Sequence, residues 1–444
     1  MQIVKTEQLG HLGLIAAVIK KLNIIEKIDL KLPVSKEHGS VVTMGQRVAA
    51  MILNGLGFLN DRLYMHSIFF EDKPVAALLG ENITSEHLND DALGRALDSI
   101  YDYGTTKLFA ELAFEIAAEH QLLGKTAKLD TTTISLYGEY EDCDLEQDIN
   151  ITHGYAKNKR FDLKQVVLSL TNSGQGGHPL WMEPLNGNSS DKENFHNTID
   201  KINAFKQQLT TAPDFIYVAD SALYTKDKLL AAPNLRWITR VPESIKEART
   251  LVEKNDSEFQ WNILSDGYKF HELISQYGEI TQRWQIIYSE QAFKRETKSL
   301  TKRILKEQEK LKKILWHLEN KKFTCEDDAA TAINPLNKGL KYHTIFSEIK
   351  PISKYFKKGR PSSEETTTVI GYQIVSVIHE NVELIKKATN RLGRFILATN
   401  ELEPDILPSN KILEEYKELN KVEKGFRFIK STEFSISSIF LKLP

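Results

Sequence analysis

The spacing of apolar residues changes near Gly124, and this change constrains the fold more than any other feature of the 444-residue sequence. Before Gly124, apolar residues recur every three or four positions, as on one face of an amphipathic helix. After it, short runs rich in β-branched residues alternate with helical segments, which is typical of a sheet covered by helices. We therefore predict an α/β protein in which residues 1–124 form an all-helical domain.

The helical part is predicted to contain amphipathic helices over residues 9–25, 43–58 and 106–123. A further helix is predicted to begin near Asp90. A short acidic side chain can accept the unpaired N–H groups of a first helical turn, so Asp90 is the predicted N-cap.

A mixed sheet is predicted between residues 125 and 245, the first part of the core. Three strands come first, and then a helix, a strand, a helix and a strand follow. The predicted strands are 128–136, 164–170, 179–185, 215–220 and 235–241, and the predicted helices are 191–208 and 225–232.

Residues 246–400 interrupt this order and are predicted to form an insertion domain. Its predicted strands are 268–276, 282–288, 369–378 and 394–399. A long helix over 290–320 carries more Lys and Arg than Asp and Glu, which favours either contact with DNA or an exposed, ion-paired face. Residues 401–444 are predicted to complete the core, with a helix at 409–431.

Composition excludes several classes of protein. The chain has 58 Lys and Arg against 60 Asp and Glu, and a sum this close to zero neither indicates nor excludes a nucleic-acid partner. There is no apolar run of ~20 residues that could span a bilayer, and no secretory signal. The two cysteines, Cys143 and Cys325, are too few for a disulfide framework, so we expect a cytoplasmic protein. No phosphate-binding loop of the NTPase type occurs.

Two aspartates occupy positions typical of a ligand site. Asp130 lies within a predicted strand, and Asp220 ends another. Acids at strand ends of an α/β sheet often face a crevice, and carboxylates are ligands that Mg²⁺ prefers. The alternative is that each is a strand-terminal acid or a turn cap.

The third candidate acid lies in the last predicted helix. Tyr416, Glu423 and Lys430 are spaced by seven residues and so share one helical face. Taken alone, this pattern equally describes an exposed, salt-bridged stripe.

These acids carry a resemblance to a known family. Asp130 in KLDTTTI, Asp220 in YVADSALY and Glu423 in a Tyr-x6-Glu-x6-Lys stretch resemble the three acids of DDE transposases of bacterial insertion sequences. More narrowly, the chain resembles the IS-four superfamily, whose signature is Tyr-x2-Arg-x3-Glu-x6-Lys. Leu419 stands where that signature has Arg, which removes one expected auxiliary DNA contact.

Other segments extend the resemblance over nearly the whole chain. The segment 154–165, GYAKNKRFDLKQ, is similar to one on the second strand of that family, and 187–191, GNSSD, to a turn after its third strand. The stretches HLGLIAAVIKKLNI and LNDDALGRALD resemble its helical DNA-binding region.

The resemblance implies a fold, an activity and a cofactor. It implies an RNase H-like catalytic core interrupted by a β-rich insertion. The activity is Mg²⁺-dependent cleavage at the ends of an insertion sequence, followed by attack of the new 3′-OH on target DNA. Asp130, Asp220 and Glu423 would hold two Mg²⁺ ions, for which Mn²⁺ could substitute, with Asp130 bridging both.

The same resemblance implies how DNA is bound. The expected contacts are to phosphates, from six residues: Lys157, Lys159, Arg160, Lys164, Tyr416 and Lys430. A core tyrosine and solvated lysines are the alternatives. We also expect a homodimer that pairs two DNA ends, an association with the nucleoid, and relatives that continue beyond Pro444, so that this chain is a truncated form.

Two other functions remain open at this point. One is a defective or truncated derivative of such a transposase that binds DNA without cutting it. The other is a hydrolytic nuclease that cannot join strands.

Overall fold

Helices make up the chain before residue 120, as the spacing of its apolar residues predicts. The elements are α1 (Leu12–Lys21), α2 (Ile24–Lys31), α3 (Met44–Leu56), α4 (His66–Phe69), α5 (Val75–Leu79), α6 (Asp90–Tyr103) and α7 (Thr105–Glu119). The computed structural model describes residues 6–34, 41–57, 62–138, 140, 149–156, 159–174, 176–209, 213–231, 234–355, 367–431 and 439–440.

Two helix boundaries differ from the sequence prediction. The helix predicted over 9–25 is divided at Asn23, whose φ of 51° is left-handed and cannot continue a helix. Asp90 is not an N-cap: it is the first residue of α6. The cap is Asn89, whose extended backbone directs its side-chain oxygen to the Ala92 N–H at 2.9 Å.

The core of the helical region forms where α3 packs among its neighbours. Thr43 and Gln46 form a reciprocal capping box that fixes the start of α3. Leu53, Phe70 and Leu88 are almost completely buried in one apolar cluster.

A mixed sheet follows the helices. Its elements are β1 (Thr126–Tyr137), β2 (Lys164–Ser173), β3 (His178–Leu185), α8 (Asp191–Lys206), β4 (Ile216–Ala219), α9 (Lys226–Ala231) and β5 (Arg236–Arg240). The strand order is β3-β2-β1-β4-β5, antiparallel from β3 to β1 and parallel from β1 to β5. The predicted mixed α/β architecture is confirmed.

The next part of the chain is also α/β. It contains α10 (Lys246–Val252), β6 (Asn262–Ile263), β7 (Tyr268–Ser275), β8 (Gln282–Ser289), α11 (Glu290–Glu319), α12 (Glu326–Ile333), β9 (His343–Tyr355), β10 (Thr367–Glu380), α13 (Val382–Asn390) and β11 (Arg394–Thr399). Strand β9, the antiparallel partner of β10, was not predicted, because most of its residues are exposed and polar.

The chain ends with α14 (Ser409–Lys417), α15 (Leu419–Ile429) and the short β12 (Ile439–Phe440), which pairs with β1. The helix predicted over 409–431 is thus interrupted at Glu418. Two compact units result. One comprises Met1–Arg240, Ser275–Gln282 and Thr399–Pro444, and the other Val241–Ile274 and Arg283–Ala398. The predicted domain limits at 124, 245 and 400 stay predictions.

None of the helices that the structure describes is both long and apolar enough to cross a membrane.

A glycine pair in α3 offers a test of how closely α2 and α3 approach. A Cβ on Gly45 would lie 2.2 Å from the Ile25 carbonyl oxygen, whereas a Cβ on Gly55 would meet nothing within 4 Å. We expect Gly45→Ala to lower the free energy of unfolding by about 1 to 3 kcal/mol through overpacking. The matched control Gly55→Ala should raise it by about 0.5 to 1 kcal/mol, because alanine favours a helix. Urea unfolding measures both, and equal effects of the two variants would contradict the close approach.

Candidate active site

Asp130 is the one partly exposed residue in an otherwise buried run of β1. All residues from Thr126 to Leu136 except Asp130 are buried, and the structure describes all of them. A central strand covered on both faces gives an acid access to solvent only where its cover opens. Asp130 therefore lies at an opening, and its Oδ1 accepts the N–H of Thr131 at 2.8 Å.

Asp220 lies beside Asp130 in the register of the sheet. β1 and β4 are parallel, and Lys128 is paired with Val218. Asp130 comes two residues after Lys128 within β1, and Asp220 comes two residues after Val218, just beyond the end of β4, so the two acids follow the last pair of these strands. β4 ends at Ala219 while β1 continues to Tyr137, which leaves an edge of the kind where ligands bind.

Asp220 also has a local structural role. Its Oδ1 accepts the N–H of Ala222 at 2.8 Å and so caps the short 3₁₀ turn Ser221–Leu223. Its carbonyl oxygen accepts the Thr239 hydroxyl at 2.6 Å, which fixes the ends of β4 and β5 together. The capping alternative raised by the sequence therefore applies to Asp220, in addition to its place beside Asp130.

Glu423 is brought to the same region by the packing of α15. Leu170 is paired directly across from Asp130 on β2, and it packs against Val422 and Phe426 of α15. Directly opposed residues of two antiparallel strands point to the same face. The helix thus covers the face that carries Asp130, and the exposed Glu423 follows the buried Val422 on this helix.

Tyr416 is close enough to Asp220 and Glu423 to feel the charge of both acids. Burial raises the pKa of its hydroxyl above the ordinary value, Arg240 opposes this rise, and the negative charges of Asp220 and Glu423 add to it. Tyr416 is therefore neutral at physiological pH. Arg240, at the end of β5, brings a guanidinium to the same group of side chains, and the sequence interpretation did not include it.

A buried lysine joins β1 to the α14–α15 segment. The Lys128 Nζ lies 2.9 Å from Glu415 Oε2 and 2.9 Å from Glu418 Oε2, and its side chain is 3% exposed. It also donates to the Thr126 hydroxyl at 2.7 Å, which in turn donates to Glu415 at 2.5 Å. Glu418 also pairs with Lys421 at 2.7 Å. These contacts were missed, although a lysine two residues before a candidate acid in a buried strand was a usable signal.

The donor set suits a hard cation. Asp130, Asp220 and Glu423 supply only carboxylate oxygens, the ligands that Mg²⁺ and Mn²⁺ take, and the first two each follow by two residues the paired Lys128 and Val218. Within the described ranges, no group of three or more His, Cys, Asp or Glu side chains is arranged to hold a metal ion. The metal-ligand roles of these acids stay predictions.

The predicted phosphate-binding residues have different surroundings. Arg160 makes two hydrogen bonds to Asp162, at 2.8 and 2.7 Å, and lies over the Tyr137 ring. The Lys164 Nζ donates to the Tyr140 carbonyl oxygen. Lys159 is exposed and has a left-handed φ of 64°.

Lys430 and Lys157 are the other two predicted basic contacts. Lys430 is the C-cap residue of α15. Lys157 falls outside the described residues.

Gly154 and Gln165, the two ends of the segment 154–165, contact Gly187, the first residue of the segment 187–191. The Gln165 side-chain amide donates to the Gly187 carbonyl oxygen at 2.7 Å, and a Cβ on Gly154 would lie 2.1 Å from that same oxygen. A Cβ on Gly187 would lie 2.0 Å from the Gln165 carbonyl oxygen. Only glycine permits these backbone approaches, so the motifs have a structural role close to the start of β2.

Comparisons with known proteins cover parts of the chain. Residues 4–114 match a family described as a domain of unknown function, DUF4277, a match that includes most of the helical region and none of the sheet. The chain has no significant match among curated proteins.

One solved structure is similar, a piggyBac transposase synaptic complex with hairpin DNA studied by cryo-EM. The identity is 9%, the TM-score is 0.30, and the match covers 62% of this chain and 58% of that one. Likeness at this level assigns neither a fold nor a function to the chain.

The ion pairs of Glu418 lead to a pH prediction. Burial works to raise the pKa of Glu418, but hydrogen bonds from Lys421 and Lys128 outweigh it and hold the pKa below its ordinary value. The stabilisation is therefore complete above the ordinary glutamate pKa and is lost as the pH falls through the lowered one. We expect Glu418→Gln to cost about 1 to 3 kcal/mol of unfolding free energy at pH 7.

Urea unfolding between pH 7 and pH 3 measures this. The Glu418→Gln variant should lose less stability on acidification than the unaltered protein. Glu414→Gln, which removes an exposed acid paired with the exposed Lys411, is the control. An acid dependence that Glu418→Gln leaves unchanged would contradict the role given to these ion pairs.

Proposed function

We propose that this protein is a DNA transposase that cleaves phosphodiester bonds at the ends of an insertion sequence in the presence of Mg²⁺. The new 3′-OH then attacks target DNA. The observation that supports this most is the placement of three acids from distant parts of the chain. Asp130 and Asp220 each come two residues after the paired Lys128 and Val218, and Leu170, which is paired with Asp130, packs against the residues Val422 and Phe426 that flank Glu423 on α15.

Several features support an RNase H-like core of the IS-four type. The antiparallel β3-β2-β1 strands followed by the parallel β4 and β5 agree with the mixed core that the sequence predicts. The acids lie on its central strand, at the end of the neighbouring strand, and on a helix that covers the same face. An α/β segment, Val241–Ala398, separates the second acid from the third, as an insertion would.

The protein's own residues would act mainly by position and charge. The three carboxylates would hold two Mg²⁺ or Mn²⁺ ions, which when bound lower the pKa of the attacking water or 3′-OH and stabilise the leaving oxygen. The carboxylates alone would repel a phosphate, so DNA should approach the acids only when their charge is offset. Arg240 lies beside Tyr416 and contributes to that offset.

DNA contacts away from the acids would supply affinity. Tyr416 can donate a hydrogen bond to a DNA strand, because its hydroxyl is neutral at physiological pH. Lys430 ends the helix that carries Glu423 and would hold a phosphate there. A homodimer would pair two DNA ends.

The acids provide the direct test of catalysis. We expect Asp130→Asn, Asp220→Asn and Glu423→Gln each to reduce Mg²⁺-dependent cleavage at least 100-fold, because each removes a carboxylate from the proposed metal site. Cleavage is measured on a duplex that contains the DNA flanking the reading frame. The protein and this duplex are incubated with Mg²⁺ and, for comparison, with Ca²⁺. Asp227→Asn and Glu414→Gln, both at exposed positions, are the controls and should keep full activity.

Three outcomes decide between the candidate functions. Full cleavage by any one of the three acid variants removes that residue from the site. Binding to the flanking DNA with no Mg²⁺-dependent cutting by the unaltered protein identifies a DNA-binding derivative. Cleavage without joining to a second duplex identifies a hydrolytic nuclease.

Salt dependence tests the phosphate-binding residues. If Arg160 contacts a phosphate, it must exchange Asp162 for that phosphate, so Asp162→Asn should strengthen DNA binding and Arg160→Gln should weaken it. Loss of one contact should reduce the slope of log K against log salt by about 1. Lys302→Gln on α11 is the comparison, because it tests the basic helix separately. Unchanged slopes in both Arg160→Gln and Asp162→Asn would exclude Arg160 from the interface.

A further inference from the structure

The Lys128 ammonium is enclosed where two distant segments of the chain meet. It comes from β1, two residues before Asp130 and on the same face. Its partners come from the other segment: Glu415 in α14, and Glu418 at the interruption between α14 and α15. Thr126 and Glu415, which share this cluster, are 289 residues apart in sequence.

The apolar contacts of α15 do not by themselves fix its position along the sheet. Val422 and Phe426 pack on Leu170, and a helix can bury such a stripe at positions that differ by one turn, about 5.4 Å. Hydrophobic burial is not directional, so it distinguishes these positions weakly. A shift by one turn would move Glu423 by the same distance relative to Asp130.

The ion pairs of Lys128 are directional, so they do distinguish between these positions of α15 on the sheet. Glu418 lies between Tyr416 and Glu423 in sequence, at the residue where the helical hydrogen bonding is interrupted. Moving the helix by one turn would separate Lys128 from Glu418 and leave a buried charge with fewer partners, which is costly. The arrangement with both pairs intact is therefore favoured over its neighbours.

We propose that Lys128 is a positioning residue, which through Glu415 and Glu418 sets the place of Glu423 relative to Asp130. The proposal rests on the proposed function, because it concerns the same three acids. Lys128 itself does not touch DNA or metal. Its effect is to select one position of the α14–α15 segment on the sheet.

Simple stabilisation of the fold gives a different expectation. Replacing a buried ion-pair cluster by apolar groups of similar size is often neutral or stabilising, whereas removing one partner alone is destabilising. A cluster that served only stability could thus be replaced without loss of function. A cluster that positions Glu423 could not.

The experiment uses a variant that replaces the whole cluster in the full-length chain. It carries Lys128→Met, Glu415→Gln and Glu418→Met, and the glutamine keeps an acceptor for the Thr126 hydroxyl. Three quantities are measured: the urea midpoint of unfolding, the affinity for Mn²⁺ by calorimetry without DNA, and the rate of Mg²⁺-dependent cleavage. Lys421→Met, which removes the more exposed partner of Glu418, is the control.

We expect the triple variant to unfold at the same urea concentration as the unaltered protein. Its Mn²⁺ affinity and its cleavage rate should each be reduced 10- to 100-fold, which is the usual effect of removing groups that support metal ligands. Lys421→Met should change neither quantity more than twofold. A folded triple variant with both quantities within twofold of the unaltered protein would overturn the proposal.

Two further variants keep the outcomes separate. If the triple variant does not fold, Glu418→Gln alone leaves Lys128 paired with Glu415 and should give an intermediate loss of Mn²⁺ affinity, and no loss would count against the proposal. Asp130→Asn tests the proposed function itself. If Asp130→Asn keeps Mn²⁺ binding and cleavage, the proposed function fails, and if it loses both while the triple variant keeps both, only the positioning role fails.

Discussion

The packing of the α14–α15 segment on the face of the β1–β2 strands brings together residues that lie far apart in sequence, such as Thr126 and Glu415, which are 289 residues apart. Leu170 lies in this contact, across from Asp130 on one side and against Val422 on the other. Nothing in the covalent chain fixes this relation, because the segment Val241–Ala398 comes between the two parts. The candidate site exists only as far as this noncovalent contact holds.

Two kinds of interaction share that contact, and they act differently. The apolar stripe of α15 supplies stability, since burial of Val422 and Phe426 removes them from water. The ion pairs of Lys128 are directional, because a charged side chain that is only 3% exposed tolerates few arrangements of its acidic partners. The interruption of the helix at Glu418 places that carboxylate between Lys128 and Lys421.

The strands could be predicted because they depend on local pattern, whereas the three candidate acids rest on the family resemblance and stay predictions. β1, β2, β4 and β5 have runs of β-branched and apolar residues, and the structure confirms them within a few residues. β9 was not predicted, because most of its residues are exposed and only His343 and Ile345 are buried, so alternation is weak along most of the strand. The choice of Asn89 rather than Asp90 as the N-cap of α6 could not be predicted either, because both side chains suit the role and the backbone geometry decides between them.

The roles of the three acids stay predictions, and the residues that surround them were not predicted. Arg240 and Lys128 are separated in sequence from the signature that includes Glu423, and only the three-dimensional fold brings them near it. The bonds of Arg160 to Asp162 were equally hidden, because a basic residue in sequence gives no sign that a neighbour already occupies it.

The proposed function requires Asp130, Asp220 and Glu423 to form one metal-dependent site for DNA cleavage. Anomalous diffraction from crystals of the protein with flanking DNA and Mn²⁺ locates the metal ions in relation to these acids. We expect manganese peaks within coordinating distance of all three carboxylates, with a DNA phosphate bound to the same ions. Manganese bound elsewhere, or DNA bound at a surface remote from Asp130, would contradict it.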